Sequence, residues 1–229
     1  MNNSALIIVD AQRGFMPASE GERLQQAGFG ELGVPNGDAI VPYINQLTQT
    51  FLDKDLPVYT TQDWHPTTTA HFSDTPNYID TWPVHCVANT PGAQLHPDLL
   101  VAQPNNPALH FKKGMDAAQT PQEDTSYTGY FAESAYGTRL PEALRARAVT
   151  KLYIGGLALG DGAEHPLCVD STARDFYNHG YEVTVVTDAA EAVIADNKDR
   201  CFKNLGTLGV RLMNTAEVLE EIAGLQKED

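Results

Sequence analysis

The chain carries a continuous apolar run, Leu6-Ile7-Ile8-Val9, that stops at Asp10. A strand covered on both faces reads this way, because neither face has to meet water. Leu56-Pro57-Val58-Tyr59-Thr60-Thr61 and Ala108-Leu109-His110-Phe111 are shorter candidates. Leu152-Tyr153-Ile154-Gly155-Gly156, Glu182-Val183-Thr184-Val185-Val186-Thr187 and Val210-Arg211-Leu212-Met213 complete the predicted strands. Between them the apolar period lengthens to that of a helix. Residues 39–52 put Ile40, Tyr43, Ile44, Leu47 and Phe51 on one face, behind Asp38 as N-cap. Residues 139–147 carry a weaker helical pattern. Residues 168–179 align Val169, Ala173, Phe176 and Tyr177, and Gly180 suits the left-handed residue that ends a helix. Helices are also expected over 196–205, before Gly206, and over 215–225, with Thr215 as the cap.

Strands alternating with helices predict an α/β fold: an open, mostly parallel sheet with helices on both faces. Residues 66–107 are rich in Pro, Thr and Asn and break both periods. They predict a long ordered loop, which compact domains often keep for function. Functional groups in such folds gather at the carboxyl ends of the strands. Asp10, Asp63, Lys113 and the segment after Gly156 are expected there. No repeat, linker or low-complexity stretch interrupts the 229 residues, so residues 1–229 are expected to form one domain.

Composition narrows the partners. Hydrophobic residues make up 42% of the chain, enough for a packed core. The formal net charge is -15. Such a field repels nucleic acid and anionic membranes, so neither is an expected partner. No stretch approaches the roughly 20 apolar residues of a membrane span. The N-terminal apolar run is short for a secretory signal and lacks a basic region before it. Cys86, Cys168 and Cys201 are an odd number without framework spacing, so a cytoplasmic protein with free thiols is expected. A homo-oligomer is compatible with all of this, and nothing in the sequence specifies it.

The candidate chemistry concentrates in a few places. Gln62-Asp63-Trp64-His65, then His71, then His85 within Trp82-Pro83-Val84-His85-Cys86, bring one carboxylate and three imidazoles into a short span. Asp and neutral His suit Zn, Fe or Mn. Asp63 and His65 share a face if the strand continues through them. The competing reading is that these are exposed histidines of a polar loop. Cys168 opens a predicted helix after a Gly-rich loop. The helix dipole there lowers a thiol pKa below its free value of about 8.5, and first-turn N–H groups can hold an oxyanion. The competing reading is a small buried hydrophobe. Asp10 suits a general base, a metal ligand or a cap. Lys113 next to a thiol favours the thiolate, but alone it reads as a solvated charge, as Lys112 does.

Taken together the segments resemble the nicotinamidases of the isochorismatase-like cysteine hydrolases. The resemblance rests on Ile7-Ile8-Val9-Asp10-Ala11-Gln12 with Phe15, Gln62-Asp63-Trp64-His65-Pro66, His71-Phe72-Ser73 and Trp82-Pro83-Val84-His85-Cys86. It continues through Gly92-Ala93-Gln94-Leu95-His96-Pro97, Lys113-Gly114, Ser126-Tyr127 and Gly156-Leu157-Ala158 with Cys168-Val169. It implies a triad of Asp10, Lys113 and Cys168, with Lys113 rather than Lys112 because Gly114 follows it. It implies four metal ligands, Asp63, His65, His71 and His85, for one divalent ion, zinc first and iron or manganese as alternatives. Phe15, Trp82 and Tyr127 correspond to aromatics that line the family's pyridine pocket, and Ala158 to an oxyanion donor. The implied reaction is hydrolysis of nicotinamide to nicotinate and ammonia through a cysteine thioester. Alternatives are another small heteroaromatic amide as substrate, a non-catalytic binding member, and direct attack by a zinc-bound hydroxide.

One departure stands out. Leu159-Gly160-Asp161-Gly162-Ala163-Glu164-His165-Pro166-Leu167 separates the Gly-x-Ala turn from Cys168, where the family's connection is shorter. Its Gly, Pro and acidic content suits a mobile loop. It opens two further assignments: Leu167 as the second oxyanion donor, and His165 as a base for Cys168.

Overall fold

The structure, a computed structural model, describes residues 3–116 and 126–225. Its strands are β1 (Ser4–Val9), β2 (Val58–Asp63), β3 (His110–Lys113), β4 (Glu133–Ser134), β5 (Lys151–Leu159), β6 (Glu182–Ala192) and β7 (Arg211–Met213). Its helices are α1 (Ala18–Leu24), α2 (Val41–Asp53), α3 (Leu140–Ala146), α4 (Cys168–Asn178), α5 (Lys198–Leu208) and α6 (Thr215–Ala223). The strands form one sheet in the order β4-β3-β2-β1-β5-β6-β7. Only the β3–β4 pair is antiparallel among them.

Every residue of β1 is buried, as a strand covered on both faces requires. Leu6 and Ile8 pack with Ile44, Leu47 and Phe51 of α2 and Val218 and Ile222 of α6. Ile7 and Val9 turn the other way, toward Leu144 of α3, Val169 and Phe176 of α4, and Leu205 of α5. The winding direction reverses where β1 lies between β2 and β5. A crevice opens at the strand ends beside such a reversal, and Asp10, Asp63 and Lys113 end or follow the strands that border it. Residues 66–107 contain no helix or strand longer than an isolated bridge, as predicted. No described helix is long and apolar enough to cross a membrane.

Several boundaries differ from the sequence expectation, each for a local reason. β5 and β6 run beyond Gly156 and Thr187 to Leu159 and Ala192. The strand expected to end at Gly156 continues because the glycines at 155 and 156 permit close strand contact. A Cβ at Gly155 would stand 2.9 Å from the Ala189 carbonyl oxygen. Gly156 has φ +133, and a Cβ there would collide with the Val9 carbonyl oxygen. Asp38 lies inside a 3-10 turn, Gly37–Ile40, and caps nothing; Tyr43 is 39% exposed, off the buried stripe of α2. α5 starts at Lys198, runs through Gly206 and ends at Gly209 (φ +111). The cap of α6 is Asn214 rather than Thr215: Glu217 N–H donates to Asn214 Oδ1 (3.0 Å) and Asn214 N–H to Glu217 Oε2 (2.7 Å). α1 and β4 carry no apolar period. α1 buries only Glu20 and Gly21, and β4 is two residues long.

Gly156→Ala is expected to lower stability by about 3 kcal/mol, because both the backbone angle and the Val9 carbonyl oppose a methyl group. A fall in the urea midpoint at unchanged m-value would register it.

Candidate active site

Three strand ends deliver the charged groups. Asp63 and Lys113 are Cα partners at the ends of β2 and β3. Asp10 follows β1 at φ +45, a turn that leaves its side chain fully buried. Lys113 Nζ lies 2.8 Å from Asp10 Oδ2, donates to Asp63 Oδ1, and donates to the Ser126 carbonyl at 2.6 Å. It also reaches Cys168 Sγ at 3.3 Å. Asp10 Oδ1 accepts the Thr61 hydroxyl at 2.6 Å. Atoms of Asp10, Asp63 and Cys168 all lie within 4.8 Å of one another. Lys112 takes no part; its ammonium sits 3.3 Å over the ring of Trp64.

Burial and charge oppose each other across this cluster. Burial alone would lower Lys113, but the Asp10 and Asp63 carboxylates hold it well above its ordinary value. Burial would raise Asp63, yet Lys113 and then His65 bring it below the usual carboxylate range. Asp10 stays raised, because burial and the neighbouring Asp63 outweigh Lys113. Cys168 is also held well above its ordinary value, by burial and by the Asp63 and Asp10 charges, against Lys113. This reverses the lowering expected from the helix N-terminus alone. The resting group is a neutral thiol beside a raised carboxylate.

Asp63 also faces the imidazoles. β2 stops at Asp63, so His65 is not on a continuing strand. It is fixed instead by a parallel bridge to Val87, with His65 N–H donating to the Cys86 carbonyl at 3.2 Å. Its Nε2 stands 3.7 Å from Asp63 Oδ2, the carboxylate oxygen not bonded to Lys113. Donor atoms of Asp63, His65 and His85 fall within 4.8 Å of one another. His65 Nδ1 lies 3.0 Å from the Gly114 carbonyl and His85 Nδ1 lies 2.7 Å from that of Pro83. A backbone carbonyl accepts from Nδ1–H, which leaves Nε2 as the electron-pair donor toward the cluster. Burial, then His65, lowers His85 to about 4, so its ring is neutral at pH 7. His71 joins from the loop. Its ring is 5.8 Å from that of His65 and its Nε2 lies 3.2 Å from Ser126 Oγ. It borders the same pocket but falls outside the compact three-residue group. An ionised carboxylate with imidazoles oriented by backbone carbonyls fits a divalent ion such as zinc. A second group, Glu20, His96 and Asp98, is already engaged by Arg23.

Gly114 permits this arrangement. It has φ +64, and a Cβ there would come within 2.5 Å of His65 Cε1.

The pocket over these groups is lined by Phe15, Trp82, Tyr127, Ala158 and Cys168. Trp82 Nε1 donates to the Tyr127 hydroxyl at 2.8 Å, and Phe15 packs on His85 at 5.5 Å. Leu32, Val34, Leu167 and Val193 complete the wall. Nothing in the sequence singles out Leu32, Val34 or Val193 as wall residues, since isolated apolar residues between elements have no period. Thr61 is likewise invisible as a partner of Asp10 inside a strand.

Cys168 is the first residue of α4. Ala158 sits at an irregularity of β5: Leu157 pairs Glu191 and Leu159 pairs Ala192, so Ala158 has no counterpart on β6. Such a bulge re-aims a backbone toward a site. Leu167 cannot serve as the second oxyanion donor, because its N–H donates to Asp170 Oδ1 at 2.7 Å. His165 is exposed and is not part of the pocket that holds Cys168. It therefore does not act as a base for the thiol.

Residues 4–217 match the model of the isochorismatase domain. A nicotinamidase/pyrazinamidase of Mycobacterium tuberculosis is 32% identical over 209 residues, covering 91% of this chain and 97% of that protein. A nicotinamidase of Escherichia coli is 32% identical over 228 residues, covering 93% and 95%. The crystal structure of the pyrazinamidase of Pyrococcus horikoshii in complex with zinc matches with a TM-score of 0.68 at 30% identity, covering 93% of this chain and 99% of that one. With residues 4–217 matched by the domain model and relatives 32% identical covered over 95% or more of their length, the chain belongs to the isochorismatase family.

Proposed function

We propose that this protein is a nicotinamidase, an amide hydrolase that converts nicotinamide to nicotinate and ammonia through a thioester on Cys168. The observation that carries this reading is the reach of one ammonium: Lys113 contacts Asp10, Cys168 and Asp63 together. It joins an acid–base and nucleophile pair to the carboxylate of a metal-ligand set. The nicotinamidase and pyrazinamidase relatives support the substrate class.

Asp10 takes the Cys168 thiol proton as substrate enters. Its raised proton affinity suits that task. The thiolate attacks the carboxamide carbon while Lys113 balances the negative charge. The Ala158 and Cys168 backbone N–H groups face the forming oxyanion. Asp10 returns its proton to the departing ammonia, leaving the thioester. Water then cleaves the thioester, yielding nicotinate and restoring the thiol. Asp63, His65, His71 and His85 would hold one divalent ion, and zinc is favoured because the Pyrococcus horikoshii pyrazinamidase was crystallised with it. When bound, that ion supplies a Lewis-acid position for the substrate's ring nitrogen. Phe15, Trp82 and Tyr127 hold the flat ring in register with it. This division leaves Cys168 and Lys113 with work that attack by a zinc-bound hydroxide would not give them. We assign the activity to one domain, to pyridine-nucleotide salvage and to the cytoplasm; the three buried free cysteines are in keeping with a reducing compartment.

Cys168→Ala is expected to cut ammonia release from nicotinamide by at least about 10⁴-fold while metal content stays at the wild-type level. Activity that survives the substitution would refute the thioester route. Removing the metal with a chelator is expected to lower kcat/KM for nicotinamide roughly 10²-fold, with recovery on adding Zn²⁺. Benzamide, which lacks the ring nitrogen, should be a poor substrate with or without metal. Gly114→Ala is expected to displace His65 and weaken zinc binding by about 10- to 100-fold in a chromophoric-chelator competition. Unchanged affinity would mean that His65 is not a ligand.

A further inference from the structure

The excursion between β5 and α4 leaves the sheet after Leu159 and returns at Cys168. Asp170, in the first turn of α4, is 1% exposed. Its Oδ1 accepts the N–H of Leu167 at 2.7 Å and the N–H of Gly160 at 3.3 Å. One carboxylate oxygen therefore holds the last residue before α4 and the first residue after β5. A second carboxylate closes the interior of the excursion: Asp161 Oδ1 accepts Ala163 N–H at 2.7 Å and His165 N–H at 3.0 Å. Arg200 Nε donates to the Asp161 carbonyl at 2.6 Å, and Asn204 Nδ2 to that of Gly162 at 2.8 Å. The segment expected to be a mobile loop is thus tied at its base and along α5.

A helix cap does not by itself require a buried charge, since Ser, Thr or Asn caps as well. Here burial pushes Asp170 up to about 7, against the Leu167 N–H, its own N–H, the nearby Arg174 and the Gly160 N–H. Cys201 of α5 feels the Asp170 charge as well. A carboxylate kept in so costly a position spans two amides at once, which a shorter cap cannot do. Gly160 lies two residues after Ala158, and Leu167 lies directly before Cys168.

We propose that Asp170 is a positioning residue for the amide hydrolysis: by drawing Gly160 and Leu167 onto one oxygen, it sets the spacing between the Ala158 and Cys168 N–H groups that face the oxyanion. This rests on the reading of Cys168 as nucleophile. It also explains how an excursion of this length coexists with a working site, since only its ends bear on the geometry.

The test compares Asp170→Asn, which keeps an oxygen in place, with Asp170→Leu, which removes it. Turnover is normalised to folded protein, taken from the amplitude of each variant's cooperative unfolding transition, so unfolded protein does not count. Asp170→Leu is expected to lose about 10²-fold in kcat with KM within about twofold of wild type, and Asp170→Asn to stay within about threefold in kcat. Hydrogen exchange over residues 160–168 should quicken in Asp170→Leu and not in Asp170→Asn. Should Asp170→Leu fail to fold, Asp170→Ser, too short to span both amides, is expected to show the same loss. Wild-type turnover in Asp170→Leu or Asp170→Ser, with Cys168→Ala inactive, would overturn the positioning role alone. An equal loss in Asp170→Asn and Asp170→Leu would also overturn it. Ammonia release by Cys168→Ala would overturn the nucleophile reading instead, while the exchange data would still report on the clamp.

Discussion

The buried ammonium of Lys113 is the interaction on which the site depends. An unpaired charge at that depth would cost several kcal/mol, so its partners are obligatory rather than decorative. Two carboxylates, Asp10 and Asp63, surround it and leave one negative charge uncompensated within the cluster. Burial and then this leftover charge resist a second anion, which raises the proton affinity of the Cys168 thiol despite the lysine and the helix end beside it. Moving the thiol proton to Asp10 changes which atom is charged but not the total. The thiolate can therefore form without raising the buried charge, provided the proton stays inside the site. The leftover negative charge is also what a divalent ion at the imidazole side of Asp63 would offset. The two oxygens of Asp63 divide the labour, one toward Lys113 and the other toward His65.

The sheet makes these contacts possible before any side chain chooses a rotamer. β2 and β3 are parallel neighbours in a register that sets Asp63 directly beside Lys113. β1 lies on the other side of β2, and its chain turns out at Asp10 with a backbone angle that keeps the carboxylate inside. β5 approaches β1 closely enough to require glycine at 156, then bulges at Ala158. The same close packing that stabilises the sheet centre thus aims three strand ends into one pocket. Close contact also recurs at Gly114, where the backbone that follows Lys113 supports the ring of His65. Cys168 and the Asp63–His65–His85 cluster thus share one scaffold.

What could be read from the chain follows from where the physics is local. The buried strands announced themselves because two-sided burial leaves an unbroken apolar run, as at residues 6–9. α4 did so because its apolar spacing and Gly180 act within one element. α1 was silent because it buries a glutamate and a glycine rather than an apolar stripe. The end of β5 was misplaced at Gly156, since glycine marks turns and close approaches alike, and only the position of Val9 decides between them. Asp10, Asp63, Lys113 and Cys168 were legible as a motif, and the structure brings them within reach of one ammonium. His71 was legible as a candidate ligand, but its distance from the other donors was not. The sign of the thiol shift was not legible either. It is set first by burial and then by the carboxylates of Asp63 and Asp10, more than a hundred residues away along the chain.

The excursion before Cys168 shows how such a site tolerates change. Lengthening a closed loop costs little, about 0.6 kcal/mol for each doubling, because closure entropy grows only with the logarithm of length. Misplacing the groups at its ends costs far more, since catalysis falls steeply with small errors in geometry. A single acceptor that bonds Gly160 and Leu167 separates these two costs. The interior of the loop is free to differ, stapled by Asp161 and by Arg200 and Asn204 of α5, while its base keeps the spacing that Ala158 and Cys168 need. Loop length is therefore a poor guide to whether the oxyanion site is intact. The carboxylate at the foot of the loop is the better one.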